Sequence, residues 1–114
     1  MTLYLAKSLE NIRMYGPIPD LGGQPEKVEE YNFGEEENEW LLNNLVDTIN
    51  ARCDSLLDDG DYDFFDVQKC NQLLEVLEEL PENFVPEEYS ELIRVLREYC
   101  IKAISNHTGI AIEL

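Results

Sequence analysis

Four side chains have the chemistry of zinc ligands: Cys53, Cys70, Cys100 and His107. Structural zinc sites usually contain a closely spaced pair of ligands, and these four residues are far apart in the chain. Each cysteine falls at an apolar position of a predicted helix, which favours three buried thiols in a reducing cytoplasm. The sequence therefore predicts neither a metal site nor a disulfide.

The acidic residues do not have the spacing of a calcium loop. When Gly60 is aligned with the invariant glycine of an EF-hand, Leu57 occupies a ligand position, and its side chain carries no oxygen. His107 is the one histidine, and it lies near a predicted helix C-terminus, where an imidazolium is favourable without a catalytic role. The chain has no nucleophile elbow, phosphate-binding loop or dinucleotide fingerprint, so we expect no enzyme activity and no cofactor.

Charge is the strongest functional signal in the sequence. The 25 acidic and 8 basic residues give a formal net charge of −17, and more than half of that excess falls within residues 35–66. Nucleic acid and anionic membrane surfaces would be repelled by such a protein. The charge is typical either of an acidic surface that serves solubility alone or of a surface complementary to a basic protein.

The same stretch supplies the elements that would present this charge. Residues 35–80 predict two antiparallel amphipathic helices whose apolar residues lie on one face each. The apolar positions are Leu42, Leu45, Val46, Ile49, Cys53 and Leu56 in the first helix and Val67, Cys70, Leu73, Leu74, Leu77 and Leu80 in the second. Three glutamates favour a helix start at Glu35, and Asp66 is a natural N-cap for the second helix. An acidic turn, residues 58–66, joins the two helices.

Shorter segments predict a sheet and a third helix. Alternating residues favour short strands at 2–6, 28–33 and 110–114, with the first and last paired; a helix from Thr2 to Tyr15 is the alternative for the first. The third helix starts at Pro86 and is closed by Gly109. The Gly- and Pro-rich loop before residue 28 either drapes over the core or is functional. The expected fold is one α+β domain, residues 1–114, mainly helical, with three long helices and a two- or three-stranded sheet from the N- and C-terminal segments.

The acidic turn holds the first set of candidate partner-binding residues. Carboxylates of Asp58, Asp59, Asp61 and Asp63 are suited to bidentate hydrogen bonds from arginines that normally hold phosphates. Tyr62, with an aspartate on each side, is expected to face solvent and to stack where a base would lie. Phe64 and Phe65 are expected to be buried beneath the helix ends.

Trp40 is the second candidate. It falls opposite the apolar stripe of the first predicted helix, so it is either an exposed aromatic anchor or is covered by the N-terminal loop. A helix of about 20 residues spans about 30 Å, which predicts that Trp40 and the turn form separate sites. The turn is the favoured one.

In size, charge, cytoplasmic character and acidic–aromatic tip, the whole chain resembles small acidic bacterial immunity proteins. The resemblance is one of overall character, so no residue positions are carried over from it. It implies a protein that neutralises a cognate toxin, often a basic nuclease, by occupying its positive cleft. Two alternatives are an inhibitor of a defence nuclease that mimics nucleic acid and an adaptor or oligomeric scaffold. With no signal peptide or membrane-spanning stretch evident, we expect a cytoplasmic monomer or weak homodimer.

Overall fold

A four-stranded antiparallel sheet forms the centre of the molecule. The computed structural model describes all 114 residues. In chain order the elements are β1 (Thr2–Ala6), β2 (Met14–Tyr15), β3 (Ile18–Pro19), β4 (Val28–Asn32), α1 (Glu35–Asn44), α2 (Val46–Cys53), β5 (Tyr62–Asp66), α3 (Val67–Glu78), α4 (Ser90–Asn106) and β6 (Gly109–Glu113). The strand order is β4-β1-β6-β5, and β2 and β3 form a separate hairpin. A short 3₁₀ turn, Glu87–Tyr89, precedes α4.

The predicted architecture of three long helices and a two- or three-stranded sheet is wrong. The structure has four α-helices and six strands, because the first predicted helix is interrupted, the end of the predicted turn is a strand, and the loop before residue 28 contains the β2–β3 hairpin. The interruption is at Leu45, where ψ is −31° but φ is −124°. Just before it, Asn44 Nδ2 donates to the Trp40 carbonyl at 2.9 Å. Such side-chain bonds to the preceding turn compete with the backbone ladder and bend helices.

Strand β5 forms because β6 offers it a partner. Aromatic residues favour a strand when their side chains can pack against those of a paired strand. Strand β6 is such a partner: it places Ile112 opposite Asp63 and Ile110 opposite Phe65. Gly109 lets the two strands approach: a Cβ there would lie 2.6 Å from the Phe65 carbonyl oxygen and would also meet the Phe64 ring. The expectation that Gly109 closes the third helix is wrong, since His107 is the left-handed C-cap, with φ 56°.

Both faces of the sheet are buried. All five residues of β1 are buried, which is typical of a central strand covered on both sides. The inner face packs against the helices through Leu3, Leu5, Phe65, Ile110 and Ile112. The outer face carries a smaller cluster of Tyr4, Ala6, Leu21, Val28 and Ala111. The segment between β1 and β4 therefore drapes over the outer face, as one of the two interpretations of that loop expected.

Several local predictions are confirmed. Residues 2–6 and the C-terminal segment pair as antiparallel strands, so the alternative helix at the N-terminus is wrong, and β4 forms the third expected strand. The first long helix begins at Glu35, and Asp66 caps α3 by accepting from the backbone of Lys69 at 2.9 Å. These predictions depend on local sequence signals that the tertiary structure reinforces.

The three cysteines are free and buried, as predicted. Burial raises the pKa of Cys53 to about 11. The pKa of Cys100 also rises, because its thiol is hydrogen-bonded to Cys70 and is buried. Cys53 and Cys100 are therefore neutral thiols near pH 7. No three His, Cys, Asp or Glu side chains converge to hold a metal ion, and none of the helices combines the length and apolar character needed to cross a bilayer.

Candidate partner-binding surface

The loop that follows α2 is held in place by one amide side chain. Asn50 Oδ1 accepts from Ser55 Oγ and from the Leu57 backbone N–H, both at 2.8 Å, and Asn50 Nδ2 donates to the Leu57 carbonyl at 2.9 Å. Asp54 starts the loop in the left-handed conformation, with φ 53°. Because Asn50 uses both its donor and its acceptor, residues 55–57 are fixed against α2.

This arrangement forces Leu56 outward. Ser55 and Leu57 are each 4% exposed, whereas Leu56 between them is 84% exposed. The Leu56 backbone N–H donates to Asp63 Oδ2 at 2.9 Å, so the backbone of the exposed residue is itself held. Leu56 is thus a large apolar side chain presented to solvent on an ordered backbone. Such a group loses little conformational freedom when a partner covers it.

The acidic turn is ordered by contacts with both ends of the surrounding structure. Gly60, with φ 81°, makes the turn, and its N–H donates to the Leu114 carbonyl at 3.0 Å. The Leu114 N–H donates back to the Asp61 carbonyl at 2.9 Å. Asn38 of α1 donates to Asp59 Oδ1 at 3.2 Å. The C-terminal Leu114 and the helix α1 therefore fix the position of the aspartates.

Leu56 and the turn border one open cavity of about 630 Å³, which we name the acidic groove. Its walls are the residues Leu42, Val46, Asp47, Asn50, Leu56, Leu57, Asp58, Asp59 and Asp61. None of the eight ion pairs of the molecule includes a carboxylate of the groove. The groove thus combines unneutralised negative charge with apolar side chains in its walls.

The structure separates the other turn residues from this groove. Tyr62 is half-buried, which contradicts the expectation that it faces solvent. Its hydroxyl donates to the Pro19 carbonyl at 2.7 Å and accepts from the Leu21 N–H at 3.0 Å. Burial raises its pKa to about 12. Tyr62 therefore anchors the segment that covers the outer face of the sheet, and Asp63 serves the Leu56 backbone.

The two phenylalanines next to Tyr62 differ in burial. Phe65 is fully buried against the helices, as expected, and Cys70 Sγ contacts its carbonyl at 3.5 Å. Phe64 is half-buried on the outer face, so the expectation that it lies beneath the helix ends is wrong. Alternation along a strand sends neighbouring side chains to opposite faces.

Trp40 is neither a free anchor nor covered by the N-terminal loop. Its ring stacks on Tyr89 at a centroid distance of 5.5 Å and meets Phe84 edge-on at 6.1 Å. The connection between α3 and α4 therefore covers it. The prediction that α1 starts far from the turn is also wrong, because Asn38 contacts Asp59. Trp40 and the groove are still separate, since residues 38 and 40 point to nearly opposite sides of a helix.

The sequence interpretation missed Leu56, Leu42 and Asp47 as groove residues. Leu56 was placed on the buried stripe of the first helix. One signal was available: Leu56 and Leu57 are adjacent at the end of that stripe, and neighbouring residues in an extended segment cannot both face the core. Leu42 and Asp47 carried no comparable signal, because only the folded chain brings α1 and α2 beside the acidic turn.

Comparison of the chain with protein-family models, curated proteins and solved structures found no match.

Proposed function

We propose that this protein is an acidic inhibitory binding protein that blocks a basic partner by covering its positive cleft with the acidic groove. The observation that carries the proposal is Leu56, an 84% exposed leucine held rigidly beside unpaired carboxylates. Apolar anchors in ordered surroundings are typical binding hot spots, and a charged rim gives orientation and a fast encounter.

The partner class follows from the charges of the groove. Asp58, Asp59 and Asp61 lie within four residues on an ordered turn, and Asp47 faces the same cavity from α2. Arginine and lysine side chains arranged for phosphate are the natural complement of such carboxylates. A nuclease toxin has such a cleft, so we propose a cytoplasmic immunity protein that works as a monomer or weak dimer. A nuclease of a defence system presents the same chemistry.

The function of the groove is distinct from that of Trp40 and Tyr62. Trp40 stacks on Tyr89, and Tyr62 is bonded to the hairpin, so each has a structural role. The proposal therefore keeps Asp58, Asp59 and Asp61 from the expected site and adds Leu56, Leu42 and Asp47. Asp63 contributes by holding the Leu56 backbone.

The test is affinity capture of basic proteins from the source cell with wild-type protein and with Leu56→Asp, followed by a nuclease assay of the captured protein. We expect Leu56→Asp to lose capture at every salt concentration, since a charge cannot enter an apolar pocket. Ile101→Asp is the matched control, because Ile101 is also an exposed aliphatic side chain, 49% exposed on α4.

A second pair of variants tests the charge. Asp58→Asn with Asp61→Asn should slow association, which we expect at about 10⁸ M⁻¹s⁻¹ at low salt, whereas Glu26→Gln with Glu82→Gln changes the net charge equally at distant exposed sites. Equal capture by wild type and Leu56→Asp contradicts the proposal. An undiminished nuclease activity of the bound partner contradicts the inhibitory function.

A further inference from the structure

Strand β5 is an open edge of the main sheet, since it pairs with β6 alone. The hydrogen bond from the Leu114 N–H to the Asp61 carbonyl sets the pattern of that pair. Along an antiparallel pair of strands, hydrogen-bonded and non-hydrogen-bonded residue pairs alternate. Because Asp61 is hydrogen-bonded to Leu114, the next residues of β5 that are hydrogen-bonded to β6 are Asp63 and Phe65. The backbone groups of Tyr62 and Phe64 and the N–H of Asp66 therefore point away from β6, off the open edge of the sheet. An exposed row of this kind is a template for another strand.

A groove runs along this edge and leaves room for an added strand. We name it the edge groove; its volume is about 410 Å³ and it is lined by Met14, Pro17, Ile18, Pro19, Asp63, Phe64, Asp66 and Lys69. The β2–β3 hairpin forms the wall on the outer side, and Lys69 of α3 forms the wall on the inner side. None of the surface cavities is lined by a residue of β4, the opposite edge. The two edges of the sheet thus differ.

Two features keep the edge strand and its wall ordered. The Phe64 ring lies over Gly109 of β6, where no Cβ would fit. The Tyr62 hydroxyl bonds the Pro19 carbonyl and the Leu21 N–H, which holds the hairpin beside the strand. On that hairpin, Met14 is 50% exposed and Ile18 is 41% exposed, so apolar surface faces solvent beside the open edge.

The charges of the edge groove select the kind of segment that fits it. Asp63 and Asp66 lie on the strand itself, and neither forms an ion pair. Lys69 is the one cation in the lining, and its ammonium donates to the Asp54 carbonyl at 3.0 Å. A second copy of this chain would bring another strand with the same two aspartates beside this one, and the like charges would repel each other. A basic segment would place opposite charges there.

We propose that the β5 edge binds an extended basic segment of a partner by strand addition. Backbone hydrogen bonds to Tyr62, Phe64 and Asp66 supply affinity. Alternate side chains of the added strand reach opposite sides: apolar ones lie against Ile18 and Phe64 on the hairpin side, and basic ones meet Asp63 on the helix side. This inference goes beyond the proposed function, because it requires an extended basic segment and no inhibited enzyme.

The probe is a seven-residue peptide that alternates lysine with valine and is blocked at both ends. Two N-methylated forms are compared, one methylated on the lysine amides and the other on the valine amides. Methylation removes a donor without changing side chains or charge, and only alternate amides of an added strand face β5. We expect one methylated form to lose at least tenfold in affinity and the other to bind as the parent does. Equal binding by both overturns the proposal.

Two substitutions at one position test the protein side. The φ of Asp66 is −72°, which proline adopts without strain, and its N–H points outward. Asp66→Pro and Asp66→Ala both lose the carboxylate that caps α3, but only the proline removes the N–H. We expect peptide binding at least tenfold weaker for Asp66→Pro than for Asp66→Ala. Equal affinities contradict strand addition, and the methylated peptides give the answer on wild-type protein should a variant fail to fold.

A control separates this inference from the proposed function. Leu56→Asp disables the acidic groove and leaves the edge groove intact, so we expect its affinity for the lysine–valine peptide to stay within twofold of wild type. Amide hydrogen exchange at Tyr62 and Phe64 should slow when the parent peptide binds. Unchanged exchange at both amides in the presence of bound peptide would place the peptide elsewhere and overturn the proposal.

Discussion

The acidic groove and the edge groove are neighbours, since Asp63 of the edge groove holds the backbone of Leu56, yet they expose different parts of the chain. In the acidic groove a side chain, Leu56, is exposed while its backbone N–H is bonded to Asp63. In the edge groove the backbone of Phe64 is exposed, while its side chain is packed over Gly109. One surface is suited to recognition by side chains, and the other to recognition by main-chain pairing.

The two surfaces also differ in what keeps them ordered. In the acidic groove, the exposed Leu56 depends on contacts close in sequence, chiefly those of Asn50 with residues 55–57. The edge groove depends on distant ones: β6 follows β5 by more than 40 residues, and Tyr62 reaches back to Pro19. An exposed group can therefore be held in place by hydrogen bonds to nearby residues, which we name the local clamp of Asn50, or by packing against distant parts of the chain. Mutations of these two kinds of contact should have different effects.

The largest expected effect separates two adjacent leucines of the acidic groove. Leu57→Ala should lower the free energy of unfolding by about 2–5 kcal/mol, because Leu57 is 4% exposed and its loss leaves a cavity. Leu56→Ala should change it by less than about 0.5 kcal/mol, as for surface residues generally. Urea denaturation of both variants measures the contrast. Similar losses for the two would mean that Leu56 is packed and would remove the basis of the acidic groove.

The next effect belongs to the edge groove. Gly109→Ala should destabilise the protein by about 1–3 kcal/mol, because the added Cβ meets the Phe65 carbonyl and the Phe64 ring. Gly16→Ala is the control for the loss of a glycine, since nothing surrounds a Cβ there, although its φ of 60° adds strain of its own. Hydrogen exchange should show faster opening of β5. If β5 stays as protected as in wild type, the close contact of the two strands is not what orders this edge.

A smaller effect tests the local clamp. Asn50→Ala removes three hydrogen bonds to residues 55–57 and should cost about 2 kcal/mol of stability. Partner binding should fall although Leu56 is still present, because its position is no longer fixed. Asn50→Asp keeps the two accepted bonds and should retain more of both properties. Unimpaired binding by a folded Asn50→Ala protein would show that the clamp is dispensable.

The smallest effect concerns the tyrosine that holds the hairpin. Tyr62→Phe loses both bonds to the segment that covers the sheet and should cost about 1 kcal/mol, with faster exchange at residues 14–21. A Tyr62 that faced solvent would leave both stability and exchange unchanged on this substitution.

Tyr62 also makes a contribution that depends on pH. Burial raises its pKa from 10.0 to about 12, so the folded protein keeps the proton that the unfolded chain releases. Its contribution is full below pH 10 and is lost as pH rises toward 12. Wild type should therefore lose more stability than Tyr62→Phe over this range, measured by urea denaturation at each pH. Parallel losses would show that the phenol is not buried.

Local signals in the sequence predicted a large part of the fold. The stripes of apolar residues indicated where helices lie, and the three cysteines were correctly placed in the core. The alternation of residues 2–6 and of the C-terminal segment predicted the central strand pair. Asp66 was recognised as an N-cap because a side-chain oxygen can accept from the first turn of a helix. These features depend on neighbours in sequence.

The tertiary structure alone decided what the acidic stretch presents. Its composition determined a strong negative charge, but Tyr62–Asp66 became a strand only because β6 was available to pair with it. That pairing turned Tyr62 toward the hairpin and left the other edge open. Leu56 is exposed because Asn50 holds the residues on either side of it. Sequence periodicity cannot distinguish two adjacent leucines, since the contacts that bury one and expose the other are made only in the folded chain.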